Sequence, residues 1–343
     1  MNPPMRSRHH RLAYIMRILL GCLAALQIAP VCAQETGRAG VIDPGAVWLD
    51  DREKPIQAHG GDIVRFGDTW YWYGTDHSQE IPAGTCAVAC YSSRDLMHWR
   101  YRNRVLTLTG KEEDFVLERP KVYHNAKNGK FVMYMHIDHS HYRAALVGVA
   151  VCDTCDGQFT FLRSFRPLGK ESRDIGQFID DDGNAYLIFE CRPSQGFYIA
   201  KLSDDYLDVA KETCFIKSPI EGGCLVHYQG LYYVIGSHLT GWRANSNMYA
   251  TAKRLEGPWS EFKDIAPPEK RTYGAQSTYL FKVTGTRATS VIFMADVWKP
   301  KTLWDSRYVW MPLEIGNGKL RLPEPAPWSI DTQTGVVSFP AKP

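Results

Sequence analysis

Short apolar segments broken by glycine-bearing turns recur along the whole chain, and helical periodicity is nearly absent. One unit reads Asp62-Ile-Val-Arg-Phe-Gly67-Asp-Thr-Trp-Tyr-Trp-Tyr73: a strand, a tight turn, then an aromatic-rich strand. The pattern returns at Val122 to Tyr134 around Gly129, at Gln177 to Ile188 around Gly183, and at Leu225 to Ile235 around Gly230. A fifth, degenerate copy runs from Thr278 to Val283 and, after a loop, from Ser290 to Met294. Each copy continues into a further apolar strand, a turn, and an aromatic or Leu residue opening an outer strand. These second halves run Ala87 to Trp99, Val147 to Phe161, Tyr198 to Leu207, Met248 to Trp259 and Tyr308 to Leu320. Aromatic and β-branched residues favour strands, and a turn glycine permits a tight hairpin. The turn glycines lie 62, 54 and 47 residues apart. Four short strands per unit is the content of one propeller blade. A β-sandwich does not repeat such a unit five times. The pattern therefore predicts an all-β chain folded as a five-bladed β-propeller over about residues 61–322, with Pro323 to Pro343 returning to the start to help close the ring.

Composition says where such a ring works. Arg6, Arg8, Arg11 and Arg17 precede or open an apolar run, Ile18 to Pro30, interrupted only by Gln27; Val31-Cys32-Ala33 follows. This is the layout of a secretory signal peptide, with cutting expected after Ala33. The run is shorter than the roughly 20 apolar residues of a membrane anchor. Leu19-Leu20-Gly21-Cys22 has the outline of a lipoprotein box, but the run before Cys22 is short and contains Arg17. No linker or charge block divides the rest. The expected organisation is a leader, residues 1–33, and one propeller domain, residues 34–343, exported to the periplasm or the exterior.

Removing the leader takes away four arginines and no acid, so a formal charge of +3 becomes −1. A near-neutral chain offers no electrostatic case for nucleic acid or an anionic membrane. It suits a neutral partner such as an oligo- or polysaccharide, and a monomer is expected. Seven cysteines remain, Cys86, Cys90, Cys152, Cys155, Cys191, Cys214 and Cys224, and an odd number leaves at least one thiol unpaired. Cys152-Asp-Thr-Cys155 could close a small loop; no second Cys or His pair completes a zinc site.

In a propeller the innermost strands begin around the axis, so polar residues at blade starts converge. Glu118, Asp174 and Glu221 stand just ahead of the innermost strands of the second, third and fourth units. An acid at a strand start is usually only solvated, but three in register, each beside Arg or Gly, point to a shared site. Glycoside hydrolysis needs two carboxyl groups, one of them kept protonated by a buried setting near another carboxylate. The first unit begins Gln57-Ala-His59-Gly-Gly-Asp62 and the fifth Tyr273-Gly-Ala-Gln276, which puts His59 and Gln276 at the same radius. His59 reads as a structural hydrogen-bonder or a site residue. Gln276 could orient a water or bind a sugar hydroxyl.

These residues carry a resemblance. The five units, Asp174 followed by Asp180-Asp-Asp-Gly-Asn-Ala-Tyr-Leu-Ile, and Glu221 ahead of Val-His-Tyr-Gln-Gly-Leu-Tyr-Tyr resemble glycoside hydrolase family 43, a family of five-bladed, inverting and often exo-acting enzymes on arabinans, xylans and galactans. The resemblance implies Glu221 as general acid and Asp174 as the carboxylate that orients it and tunes its pKa. The family's general base is usually an Asp at the start of the first blade, where this chain has Gly60. One branch, the exo-β-1,3-galactanases, is similar there: it carries Ala-His-Gly-Gly (58–61), Glu-Arg-Pro-Lys-Val (118–122), Ser-Phe-Arg-Pro-Leu-Gly (164–169), Ser-Arg-Asp (172–174), Leu-Thr-Gly-Trp (239–242) and Gln-Ser-Thr (276–278). By that likeness Gln276 positions the attacking water and Glu118 lines the site. Asp62, two residues past Gly60 and so on the same side of a strand, is the alternative, a displaced base. In either case inversion leads us to expect the acid and the water-holding group about 6.5–9.5 Å apart. Two positions depart from the branch: Thr75, where a Glu is typical, and Glu190-Cys191-Arg192, where a Ser-Ser-Glu-like run is usual. An α-L-arabinofuranosidase or β-xylosidase of the same family, or a non-catalytic carbohydrate-binding propeller, remain the other readings.

Other features have plainer readings. Asp180-Asp-Asp-Gly183 suits a hairpin turn, and no cofactor is called for, though a structural Ca²⁺ from other ligands near the axis stays open. Trp242 and Trp298 each read as a sugar-stacking platform or as packing, with packing the plainer reading for Trp298. Arg192 and Arg307 are candidate pocket residues, with an ion pair to Asp305 or Asp296 as the plain alternative for Arg307.

Overall fold

The computed structural model describes residues 40–110, 115–218 and 220–340. The expected leader, residues 1–33, lies outside them. Four four-stranded antiparallel sheets follow in chain order. The first holds β1 (His59–Phe66), β2 (Thr69–Asp76), β3 (Thr85–Ser93) and β4 (Arg100–Thr109). The second holds β5 (Phe115–His124), β6 (Phe131–His139), β7 (Leu146–Cys152) and β8 (Thr160–Phe165). The third holds β9 (Ile175–Ile179), β10 (Ala185–Cys191), β11 (Gly196–Leu202) and β12 (Val209–Ile216). The fourth holds β13 (Ile220–Tyr228), β14 (Leu231–His238), β15 (Asn247–Ala252) and a two-residue β16 (Lys263–Asp264). A fifth sheet has three strands, β17 (Gln276–Thr284), β18 (Thr289–Val297) and β19 (Arg307–Pro312). The first strands pack one on the next in the order β1, β5, β9, β13, β17 and back to β1. That cycle makes the five sheets blades of one propeller.

The apolar repeat explains the ring. Its cores lie between blades: Val88, Val122 and Met133 join the first and second blades, Tyr134, Leu187 and Phe189 the second and third, Ile188, Ile199 and Val234 the third and fourth. Trp72, fully buried as expected, meets Trp310 of the fifth blade at 4.6 Å between ring centroids. The aromatic repeat thus supplies the wedges between sheets.

The fifth blade departs from expectation. No fourth strand forms at Leu320. Gly316, Asn317 and Gly318 all take positive φ, so the chain folds back on itself: β20 (Glu314–Gly316) pairs with β21 (Lys319–Arg321) and Leu320 faces Ile315. Closure comes from the two ends of the described chain. Ile42 and Trp328 exchange backbone hydrogen bonds of 2.7 and 3.0 Å, and the Trp328 indole donates to the Trp310 carbonyl. A last hairpin, β22 (Ser329–Asp331) and β23 (Val336–Ser338), follows. Asp180 to Gly183 form the β9–β10 turn, with Gly183 N–H donating to Asp180 O. All seven cysteines among the described residues are unbridged, Cys152 and Cys155 included.

Candidate active site

The blade starts share a local irregularity. The ladders slip between His59 and Asp62, between Glu118 and Lys121, between Glu221 and Cys224, and between Ser277 and Tyr279. In three of these Gly60, Arg119 and Gly222 take positive φ, of 61°, 50° and 63°. Such bulges re-aim side chains at sheet ends. Glycine adopts this conformation freely, whereas arginine does so only where its surroundings hold it. Antiparallel pairing brings the ends of β2, β6, β10, β14 and β18 to the same end of the ring, with the loops that follow them.

There the blades enclose a cavity of about 290 Å³, lined among others by His77, Glu118, Arg119, Tyr142, Asp174, Arg192, Glu221, Trp242, Gln276 and Trp298. Arg119 is its hub. Its Nε lies 2.9 Å from Asp174, one Nη donates to the Ser277 carbonyl and the other, at 2.6 Å, to Gln276 Oε1. These contacts tie the second, third and fifth blades together and hold the unfavourable φ. Asp174 also accepts from the Gly222 N–H at 3.0 Å, which fixes Glu221 beside it. Carboxylate oxygens of Asp174, Glu190 and Glu221 all lie within 4.8 Å of one another.

Charge follows geometry. Burial pushes the Glu221 carboxyl up to about 9, and Asp174 and Glu190 add to the rise against the pull of Arg119 and Arg192. Glu118 goes the other way. Burial would raise its pKa, but the His136 imidazolium, the Tyr142 hydroxyl and His77 hold it below the ordinary range. His136 lies 3.4 Å from one Glu118 oxygen and Tyr142 donates to the other at 2.6 Å. The cavity therefore holds a protonated carboxyl, Glu221, and an ionised one, Glu118. Two carboxyl groups pushed apart in this way are the acid and base pattern of hydrolysis.

The Gln276 amide has one orientation. Arg119 and the Trp298 indole, both donors only, point at Oε1. Nε2 then donates to Glu221 Oε1 at 3.2 Å and to Ser237 Oγ at 3.0 Å. This corrects the expected spacing: Gln276 touches the acid rather than standing 6.5–9.5 Å from it, because both side chains lean into the same corner between the fourth and fifth blades. Trp298 is a wall residue as well. It lines the cavity and meets Trp242 edge-on at 5.4 Å, with Trp242 41% exposed.

Three expected residues stand elsewhere. Asp62 is fully buried beneath the cavity and does not line it. The bulge breaks the strict alternation that would have aimed it with Gly60. Its Oδ2 accepts from the Val122 N–H at 2.8 Å and from Gln177, joining three blades. His59 is fully buried behind the wall, 2.8 Å from Asp296 and stacked on Tyr308, so it is the structural hydrogen-bonder. Arg307 pairs with Asp305 and faces another depression. Arg192 does line the cavity, 2.7 Å from Glu190 and 3.8 Å from Glu221. Arg119, Tyr142, His136 and His77 were not singled out from sequence. Only the positive-φ Arg at a blade start belongs to a visible motif; the others reach the site from strand ends and loops.

A propeller with a protonated and an ionised carboxyl facing one pocket defines a glycoside hydrolase. The family model for glycosyl hydrolases family 43 matches residues 54–265. The chain belongs to that family, whose members invert configuration. Among solved structures, the exo-β-1,3-galactanase of Phanerochaete chrysosporium with β-1,3-galactotriose is 38% identical, with a TM-score of 0.82 over 88% of this chain and 71% of that one. The exo-β-1,3-galactanase of Clostridium thermocellum is 35% identical, with a TM-score of 0.81 over 88% and 68%. A family 43 β-1,3-galactosidase with galactodeoxynojirimycin is 31% identical, with a TM-score of 0.73 over 82% and 97%. A search of curated proteins gave no match.

Proposed function

We propose that this chain is an exported exo-β-1,3-galactanase that releases galactose from the ends of β-1,3-galactan with inversion. The observation that carries the mechanism is the Glu221 carboxyl, held protonated at neutral pH by burial and by Asp174 in a cavity of sugar size. The likeness to three β-1,3-galactan-cleaving enzymes supports the substrate. Glu221 protonates the leaving oxygen as the bond breaks. Asp174, braced by Arg119 and the Gly222 N–H, orients Glu221 and sustains its pKa. Trp242 and Trp298 offer ring faces to sugar C–H patches. A water attacks the opposite face of the sugar.

Gln276 orients that water once entering substrate parts its amide from Glu221, and the water's proton leaves to solvent, because an amide does not accept it. A second reading has its own observation: Glu118 is an ionised carboxylate in the cavity wall and a competent proton acceptor. Azide separates the two, since an anionic nucleophile replaces a water that has lost its base. Rescue of Glu118→Gln by azide, and not of Gln276→Ala, assigns the base to Glu118; the reverse pattern leaves Glu118 out and assigns the nucleophile's place to Gln276. The leader, the monomeric state and independence from metal belong to the same proposal. Lys121 bears on the last point: its amine sits between β1 and β5, 2.5 Å from Gly60 O and 3.2 Å from Gly61 O, and takes up both carbonyls. Proton NMR of fresh digests of β-1,3-galactan tests the whole. α-Galactose must appear first. First appearance of the β-anomer, or turnover of arabinan or xylan instead, would reject it.

A further inference from the structure

Beside the acid lies a carboxylate that the mechanism above leaves unused. Glu190 sits on β10 and is 3% exposed. Its Oε1 accepts from Arg192 Nε at 2.7 Å. Its Oε2 is buried and has no hydrogen-bond partner. Its backbone N–H donates to Asp174 O at 3.0 Å, which fixes the strand against the Asp174 loop. An unpartnered buried carboxylate oxygen is costly, on the order of 1–3 kcal/mol or more, so its place calls for a reason.

Counting charges supplies one. The charged groups facing Glu221 are Asp174, Glu190, Arg119 and Arg192. Burial and Asp174 push the Glu190 carboxyl up, Arg192 and Arg173 pull it back, and Arg173 is engaged with Glu171 at 2.7 Å. Arg119 is bound to Asp174 and Arg192 to Glu190. Two guanidiniums therefore serve two carboxylates, and Glu221 is left without a cation of its own. Arg192 is nonetheless only 3.8 Å from Glu221, with its side chain half exposed. Without Glu190 it would close on Glu221 and hold it as a carboxylate, useless for donating a proton.

We propose that Glu190 is a positioning residue that sequesters Arg192 and so keeps the proton on Glu221. The position coincides with the Glu190-Cys191-Arg192 departure from the galactanase pattern. The inference rests on Glu221 being the general acid.

The test is the pH profile of kcat/KM on β-1,3-galactobiose for wild type, Glu190→Gln, Arg192→Met and the double variant. Glu190→Gln is expected to move the alkaline limb at least one pH unit lower, about a tenfold loss above the limb, with activity retained on the acid side. The double variant is expected to return the limb to within half a unit of wild type, and Arg192→Met alone to leave it at or above wild type. On a dinitrophenyl β-galactoside, whose leaving group needs no proton, Glu190→Gln should keep wild-type rates across the range. A limb that does not move, a double variant that fails to recover, or an equal loss on both substrates overturns the proposal. Should Glu190→Gln not fold, the Arg192→Met profile still decides: a limb moved lower refutes the idea. Glu221→Gln separates this failure from that of the broader reading, because full activity in that variant rejects Glu221 as the acid whatever Glu190 does.

Discussion

Replacing Glu221 with Gln should make the protein more stable as it makes it inactive. The carboxyl binds its proton at about 9 in the folded chain against 4.5 for the free group. Between those values the native state keeps a proton that the unfolded chain has released, so stability falls as pH rises through the window. At about 1.4 kcal/mol per pKa unit, holding Glu221 protonated weakens the fold by about 3 kcal/mol at pH 7. Coupling to the buried Glu190 carboxyl lowers that figure, and ~1–3 kcal/mol is the expected range. Gln fills the same space, is neutral at every pH and still accepts from Gln276 Nε2. Calorimetry should therefore find the Tm of Glu221→Gln a few degrees above wild type at pH 7, a larger gap at pH 8.5 and almost none at pH 4. A constant gap, or a variant less stable than wild type at pH 8.5, would refute the electrostatic account of the acid.

Asp62→Ala should lower stability by about 1–3 kcal/mol, since the Val122 N–H and the Gln177 amide lose their buried acceptor; chemical denaturation reads this, and the α-anomer should remain the first product. Trp242→Ala, at an exposed ring, should leave the Tm unchanged and raise KM several-fold on galactobiose, as befits a stacking contact of roughly 0.5–1.5 kcal/mol. Prolonged EDTA treatment should change neither Tm nor kcat, whereas Lys121→Met should lower the Tm; a fall in Tm on chelation would argue for a resident metal.

The ring and most of its wall were legible in the chain because both obey a repeat. Glu118, Glu221 and Gln276 face one cavity because they stand at matching blade starts, and Asp174 joins them just ahead of β9. The repeat also misled. It placed His59 and Asp62 at the same radius, but the bulge after His59 turns one behind the wall and the other beneath the floor. It gave the fifth blade a fourth strand that Gly316-Asn317-Gly318 folds away. Tyr142, His77 and Trp298 come from loops and strand ends, where no period fixes direction, and the contact between Gln276 and Glu221 depends on two side-chain torsions that no pattern encodes.

The Ile42–Trp328 clasp has a consequence for the life of the molecule. Glu221 and Asp174 are made early, but Gln276 and Trp298 lie near the end of the chain, and Arg119 has only part of its anchorage until they arrive. A chain emerging from the ribosome in sequence order has every acid it needs and no assembled pocket. Hydrolytic competence should therefore appear all at once, when the last sixteen or so residues bring Trp328 back to Ile42, so that truncation just short of that clasp silences the enzyme without touching one active-site residue.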